Sequence, residues 1–361
     1  KGENVVKMNY AAVDRGAEYV EVEIPAEWAN ASGKFVNANN ARMAPAFIRN
    51  VADVIASQNG NDLPVSTFSG EMVDGTNPAG TAAYEKRAIA VEVPEWNPAN
   101  CIQCNQCAYV CPHAAIRPFL MTAEEGAKAP ASVKKVQANG VFKEYTFTMQ
   151  VSPADCTGCG NCADVCPAKT KALTMVSFES QLGEQANFDY MHNKVGYKEV
   201  APKEQNVKNL QFAQPLFEFS GACAGCGETP YLKAITQLFG DRMMVANATG
   251  CSSIYSAAFP SSPYCANEKG HGPAWQNSLF EDNAEFGLGL RKGSDRVRET
   301  VASLMKQGLE CSCCTSEMKE LFEKWLANRE NGPITREVCD KLVPLMKECG
   351  CDTCKKLLEL Q

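Results

Sequence analysis

Eight of the cysteines in this 361-residue chain fall into two runs with ligand spacing. Cys101, Cys104, Cys107 and Cys111 precede Pro112; Cys156, Cys159, Cys162 and Cys166 precede Pro167. Each run reads C-x-x-C-x-x-C-x-x-x-C-P, and all-thiolate sets of this kind suit iron–sulfur clusters. Three thiolates on one short turn can hold three irons of a cube. The fourth lies a turn further on and reaches the neighbouring cluster. The spacing therefore predicts two [4Fe–4S] clusters with crossed ligands. One takes Cys101, Cys104, Cys107 and Cys166; the other takes Cys156, Cys159, Cys162 and Cys111. The second run follows the first at an offset of 55 positions, with similar flanks (Asn97–Asn100 and Val151–Asp155), which implies a pseudo-twofold domain. Zinc sites usually pair C-x-x-C knuckles two by two, not in fours ending in Cys-Pro.

A smaller constellation comprises Cys223, Cys226 and Cys251. The first two form a knuckle at the start of a helical pattern, and the third follows the next strand. Helix N-termini and backbone N–H groups favour thiolates. Three thiolates leave a cluster, a zinc ion, a redox dithiol and buried thiols all open. A last group, Cys311, Cys313, Cys314, Cys339, Cys349, Cys351 and Cys354, lies among helical segments. A helical hairpin could bring its two ends together as a metal site, but reduced thiols are the preferred reading. His113, His192 and His271 show no partner pattern and are read as structural.

Composition sets the bounds. A formal charge of −7 argues against nucleic acid as a partner, and 45% hydrophobic residues suffice for real cores. No run of about 20 apolar residues and no secretory signal is present. With cysteines in ligand spacings, this argues for a reducing, cytoplasm-like compartment. The chain starts at Lys1 inside a helical pattern, and both ends read as cuts within something longer.

The elements follow in order. Val5–Arg15 reads as a helix and Tyr19–Ile24 as a strand closed by Pro25; Ala26–Ala44 reads as a connector. Phe47, Ile48, Val51, Val54 and Ile55 recur at helical spacing, with Gly60 as the stop. Leu63–Gly80 reads as an extended arm and Ala88–Val93 as a strand leading into the first cysteine run. Val141–Val151 suggests a strand pair covering the clusters, and Tyr197–Gln211 a linker. Leu216–Phe219 is a short strand candidate. A helix capped by Thr229, with Pro230 in its first turn, carries Leu232, Ile235, Leu238 and Phe239 on one face and ends at Gly240. Met243–Ala246 is a strand. Trp275–Gly289 opens a helix continued by Val297, Val301, Leu304 and Met305. Two more follow, around Met318, Leu321, Phe322, Trp325 and Leu326, and around Val338, Leu342, Leu345 and Met346, with Pro344 kinking the last. Strand, Gly-rich loop and helix in alternation give an α/β layout with loops at one edge.

From Leu63 to about Arg291 the sequence resembles the pyruvate:ferredoxin (flavodoxin) oxidoreductases, large thiamine-diphosphate enzymes. The matching segments are Val73–Thr76, Tyr84–Arg87, both cysteine runs, Gln214–Tyr231, Ala246–Tyr255 and Gly272–Gly287. The resemblance implies an α+β and α/β multidomain chain. Residues 1–40 would end a preceding gamma-type domain of a 2-oxoacid oxidoreductase, and 41–80 would form a connecting helix and arm. Residues 81–198 would be a two-cluster ferredoxin-like domain. Residues 199–361 would be part of a thiamine-diphosphate domain with a helical insertion. It also implies that Cys223, Cys226 and Cys251 hold a third [4Fe–4S] cluster, and that Glu228 and the Cys251 loop contact thiamine diphosphate. No position matches the family's fourth ligand for that cluster, nor its Gly-Asp-Gly segment for Mg2+ and diphosphate. The expected partners are pyruvate, coenzyme A, and ferredoxin or flavodoxin, with no membrane and a homodimeric assembly. The piece alone is expected not to turn over pyruvate. The alternative is a stand-alone electron carrier with two clusters.

Overall fold

The computed structural model describes residues 2–30, 44–198, 200–201, 204–257 and 261–360. It falls into two compact units, Lys1–Pro64 and Val65–Gln361. The first unit holds α1 (Glu3–Asp14) and a helical segment made of a π-turn, Ile48–Ala52, running into α2 (Asp53–Ala56). Ile48 and Val51 are buried, as their spacing requires. The helix stops at Gln58, which takes the left-handed conformation (φ 62), rather than at Gly60. Tyr19–Ile24 is not a strand: an alternating pattern needs a partner strand, none pairs with it among the described residues, and Val20 is 86% exposed.

The second unit begins with 3-10 turns at Val65–Phe68 and Gly70–Met72. Next come β1 (Glu92–Trp96), α3 (Gln106–Val110), β2 (Ile116–Met121), α4 (Ala123–Lys128), β3 (Val136–Gln137), β4 (Thr146–Val151), α5 (Asn161–Asp164) and β5 (Leu173–Ser177). β1 pairs antiparallel with β5, and β2, β4 and β3 form an antiparallel sheet in that order. The paired elements around the two cysteine runs reproduce the internal repeat: α3 packs on α5, and β1 closes against β5. Two sequence expectations move here. The strand before the first run is Glu92–Trp96, not Ala88–Val93, and β4 finds its main partner in β2, which the pattern did not reveal. β2 is buried along its whole length, so it shows no alternation.

α6 (Glu184–Tyr190) and α7 (Val207–Leu210) lead to α8 (Thr229–Phe239). Leu216–Phe219 makes only a single bridge, Phe217 to Tyr264. β6 (Met244–Ala248), α9 (Cys251–Ala257) and β7 (Ala274–Ser278) form a βαβ unit with parallel strands. β7 is a strand where a helix start was expected; the helix, α10 (Asn283–Glu310), begins after it. α11 (Ser316–Ala327), α12 (Gly332–Cys349) and α13 (Asp352–Glu359) complete the chain, with α12 running on through Pro344. These helices share a core of Met305, Met318, Phe322, Trp325, Val338, Leu342 and Met346. Gly308 is needed there: a Cβ on it would stand 2.6 Å from Phe322 Cε2.

Candidate metal centres

The two cysteine runs take the same backbone turn. In the first, Gln103 and Asn105 lie in the left-handed region (φ 57 and 58); in the second, Gly158 and Gly160 do (φ 71 and 78). This turn folds the loop so that the Gln103 N–H donates to Cys101 Sγ and the Gly158 N–H to Cys156 Sγ, each at 3.4 Å. Gly158 has no alternative, since a Cβ would meet the Glu92 carbonyl at 2.9 Å. In the first run side-chain bonds offset the cost of a non-glycine residue at φ > 0. Gln103 donates to the Gln137 carbonyl (2.8 Å) and accepts from the Asn139 N–H (2.9 Å); Asn105 donates to the Lys208 carbonyl (3.0 Å).

The two runs lie within electrostatic reach of each other: Cys101 and Cys107 of Cys104 and of Cys166 from the other run, Cys156 and Cys162 of Cys159 and of Cys111, and Cys162 of Cys107 as well. Cys101, Cys107, Cys111, Cys162 and Cys166 pack on a core of Trp96, Ile116, Leu120, Phe147, Met149, Val151 and Leu173. Burial raises the thiols of Cys101, Cys107 and Cys162 and pushes Cys156 up to about 12, with neighbouring thiols adding to the rise. Buried thiols this reluctant to ionise are ones that a bound metal has to deprotonate. The residues present thus fit all-thiolate iron–sulfur ligation.

A buried polar clamp joins this region to the segment leading to Cys223. Arg117 on β2 pairs with Glu218 at 2.5 Å, both nearly inaccessible, and also donates to Tyr197 Oη. Burial alone would raise the Glu218 carboxyl, but the Arg117 charge holds it below the ordinary value of 4.5. Lys86 pairs with Asp155 at 2.5 Å and sits over the Phe219 ring; Arg87 donates to the Ser220 carbonyl at 3.0 Å, and Glu85 accepts from Ser261. The Glu85-Lys86-Arg87 stretch is therefore a three-way tie. His113, two residues after Cys111, meets the Ser220 carbonyl through Nδ1 at 3.0 Å. Lys233 on α8 is buried and donates to the carbonyls of Ala108 and Tyr109; burial drops it to about 8. Sequence reasoning missed Arg117, Glu218 and Lys233. For the first two the available signal was a charged residue inside an apolar run, Arg117 in Ile116–Met121 and Glu218 in Leu216–Phe219.

Around Cys223 and Cys226 the knuckle recurs: Gly225 is left-handed (φ 72), and the Glu228 N–H donates to Cys226 Sγ at 3.4 Å. Cys251 starts α9. That helix is tied to the knuckle through Tyr255, whose hydroxyl donates to Glu228 Oε1 at 3.0 Å. At the C-terminal edge of β6 and β7, Asn247 and Ser253 both donate to Asn277 Oδ1 at 2.7 Å. Cys223, Glu228 and Cys251 are exposed and Cys226 is half-buried. The helix expected to be capped by Thr229 is capped instead at Glu228, and Thr229 Oγ1 is buried without a hydrogen-bond partner. α8 also turns its polar side inward: Thr229, Lys233 and Thr236 are buried while Ile235, Leu238 and Phe239 are exposed.

The two ends of the C-terminal cysteine group come together, as the hairpin alternative allowed. Cys311, Cys313, Cys314, Cys349, Cys351 and Cys354 converge, with Cys314 and Cys354 buried; Cys339 stands apart against Trp325. Cys351 caps α13, accepting from the Cys354 N–H at 3.5 Å. Burial works against its ionisation, but hydrogen bonds from Cys354, Cys313 and Cys349 outweigh it and hold the thiol at about 6.

Among the described residues no helix is long and apolar enough to cross a membrane. A family model described as a 4Fe-4S dicluster domain matches residues 100–170, and another, EKR, described as a domain of unknown function, matches residues 36–90. The chain is 51% identical over 343 residues to the pyruvate-flavodoxin oxidoreductase of Klebsiella pneumoniae, covering 95% of this chain and 29% of that protein. It is 49% identical over 351 residues to the pyruvate:ferredoxin oxidoreductase of Moorella thermoacetica (96% and 29%). It is 42% identical over 346 residues to the mitochondrial pyruvate dehydrogenase [NADP(+)] of Euglena gracilis (95% and 19%). The chain thus spans less than a third of the length of these curated relatives. Over the segment it spans, the chain is a homologue of the pyruvate-flavodoxin and pyruvate:ferredoxin oxidoreductases.

Proposed function

We propose that this chain is the electron relay, with part of the thiamine-diphosphate region, of an enzyme that oxidatively decarboxylates pyruvate with coenzyme A to acetyl-CoA and carbon dioxide. The acceptor would be ferredoxin or flavodoxin. The observation that carries the reading is the crossed approach of Cys166 to Cys101 and Cys107, and of Cys111 to Cys156 and Cys162. Cys101, Cys104, Cys107 and Cys166 would hold one [4Fe–4S] cluster, and Cys156, Cys159, Cys162 and Cys111 the other. Cys223, Cys226 and Cys251 would supply three ligands of a third. When bound, the clusters would carry single electrons and thiamine diphosphate with Mg2+ would supply the decarboxylation chemistry.

The chain's own residues fix geometry and environment. The Gln103 and Gly158 N–H groups point at sulfur and stabilise anionic ligands. The apolar core backs Cys101, Cys107, Cys111, Cys162 and Cys166, with Cys162 buried and the other thiols half-buried. Arg117, Glu218, Lys86 and Arg87 lock the relay to the Cys223 segment, so their separation is set by folding. The Lys233 side chain brings a cationic group to within reach of Cys107 and Cys111. For thiamine diphosphate the chain offers Glu228, held by Tyr255, and the Cys251 loop at the edge of the parallel strands. The sequence carries no Gly-Asp-Gly segment for Mg2+ and diphosphate beside them. The exposed apolar side of α8, with Ile235, Leu238 and Phe239, supports a thiamine-diphosphate domain only partly present in residues 199–361. The boundaries at 1–40, 41–80 and 81–198, a cytoplasmic location and a homodimer belong to the same proposal.

The test uses the full-length enzyme. Pyruvate- and coenzyme A-dependent reduction of ferredoxin or flavodoxin is expected, with Cys251→Ala losing one of three cluster signals in electron paramagnetic resonance and sparing the other two. Iron-loaded protein that never accepts electrons from pyruvate would favour a stand-alone carrier.

A further inference from the structure

Six cysteines outside the relay share one place. Cys311, Cys313 and Cys314 lie in the turn between α10 and α11. Cys349, Cys351 and Cys354 lie at the junction of α12 and α13. Among the described residues, potential ligand atoms converge to within 4.8 Å in just two groups, both here: Cys311, Cys313, Cys314 and Cys351, and Cys314, Cys349, Cys351 and Cys354. A tetrahedral zinc ion with Zn–S bonds of about 2.3 Å needs its sulfurs about 3.8 Å apart. A small closing of side chains reaches that. A cubane places each thiolate on a different iron and holds them further apart, so this set fits single ions instead.

The two groups share Cys314 and Cys351. Two tetrahedra joined along an edge have six corners, two of them common to both, and that is the count and the sharing found here. We propose that these six cysteines form a binuclear zinc–thiolate site, with Cys314 and Cys351 bridging two tetrahedral ions. Cys311 and Cys313 complete one ion, and Cys349 and Cys354 the other. On binding, six thiols release six protons to solvent; two Zn2+ ions and six thiolates leave a net charge of −2. The donor set is all sulfur, which suits a borderline-soft d10 ion without redox change. The site would staple the α10–α11 turn to the α12–α13 turn. Cys339, which joins neither group, is the internal control.

The chain, purified anaerobically without added metal, is analysed for zinc and iron together, then exchanged with cadmium-113 for nuclear magnetic resonance. Two zinc ions per chain are expected, with two cadmium resonances split by coupling through the shared sulfurs. Cys339→Ser should keep both ions, Cys313→Ser at its exposed position should lose about one, and Cys351→Ser should lose both. A chain without zinc whose six thiols all alkylate freely overturns the proposal. So does a single zinc per chain, iron in place of zinc, or two cadmium signals without mutual coupling. The unsubstituted chain decides the matter even if Cys351→Ser does not fold.

Discussion

The paired cysteine runs and the C-terminal helical unit both gather thiols, by opposite means. In the runs, ligand spacing is local and only the exchange of Cys111 and Cys166 is tertiary. No three of these sulfurs lie within 4.8 Å of one another, which leaves room for a four-iron cube. In the helical unit no single segment resembles a complete site; two helix junctions far apart in sequence bring six sulfurs close, as point ions require. Thiol number alone therefore does not distinguish cluster from ion, whereas thiol separation does.

The largest expected break in that comparison is Cys166→Ser. It should remove about four of the eight irons of the paired runs and leave zinc unchanged, read by metal analysis. Next, Arg117→Met strands the buried Glu218 carboxylate and should cost about 3–5 kcal/mol in urea unfolding. The pH sign follows from Glu218, whose carboxyl the fold holds below 4.5. Its contribution is present above that ordinary value and disappears as pH falls through the lower folded value. In Arg117→Met this acid-range loss should vanish. Gly308→Ala pushes a methyl into Phe322 and should cost about 1–3 kcal/mol, with iron content unchanged. Smallest, Thr122→Ala removes a capping box in which Thr122 and Glu125 exchange hydrogen bonds, worth about 1 kcal/mol by thermal unfolding.

The cysteine grammar was legible because a cluster ligand run is short-range and its chemistry restricts residue type. So were the C-terminal helices, whose apolar periodicity faces a shared core. β2 was not, because a strand buried on both faces has no alternation. β7 was hidden by its polar composition, with Gln276 and Asn277 exposed between half-buried Trp275 and Ser278. Tyr19–Ile24 alternates but finds no partner strand among the described residues. α8 misled in a different way: its apolar stripe is real, but the polar side carrying Lys233 is the one that packs. The Arg117–Glu218 clamp and the six-sulfur site depend on contacts between segments, which residue spacing does not encode.

Iron-edge anomalous diffraction from anaerobically grown crystals tests the central claim most directly. The account predicts Cys166 Sγ bonded to the cube shared by Cys101, Cys104 and Cys107, and Cys111 Sγ to the cube of Cys156, Cys159 and Cys162. Finding each fourth cysteine bonded within its own run, or bonded to no iron, would contradict it.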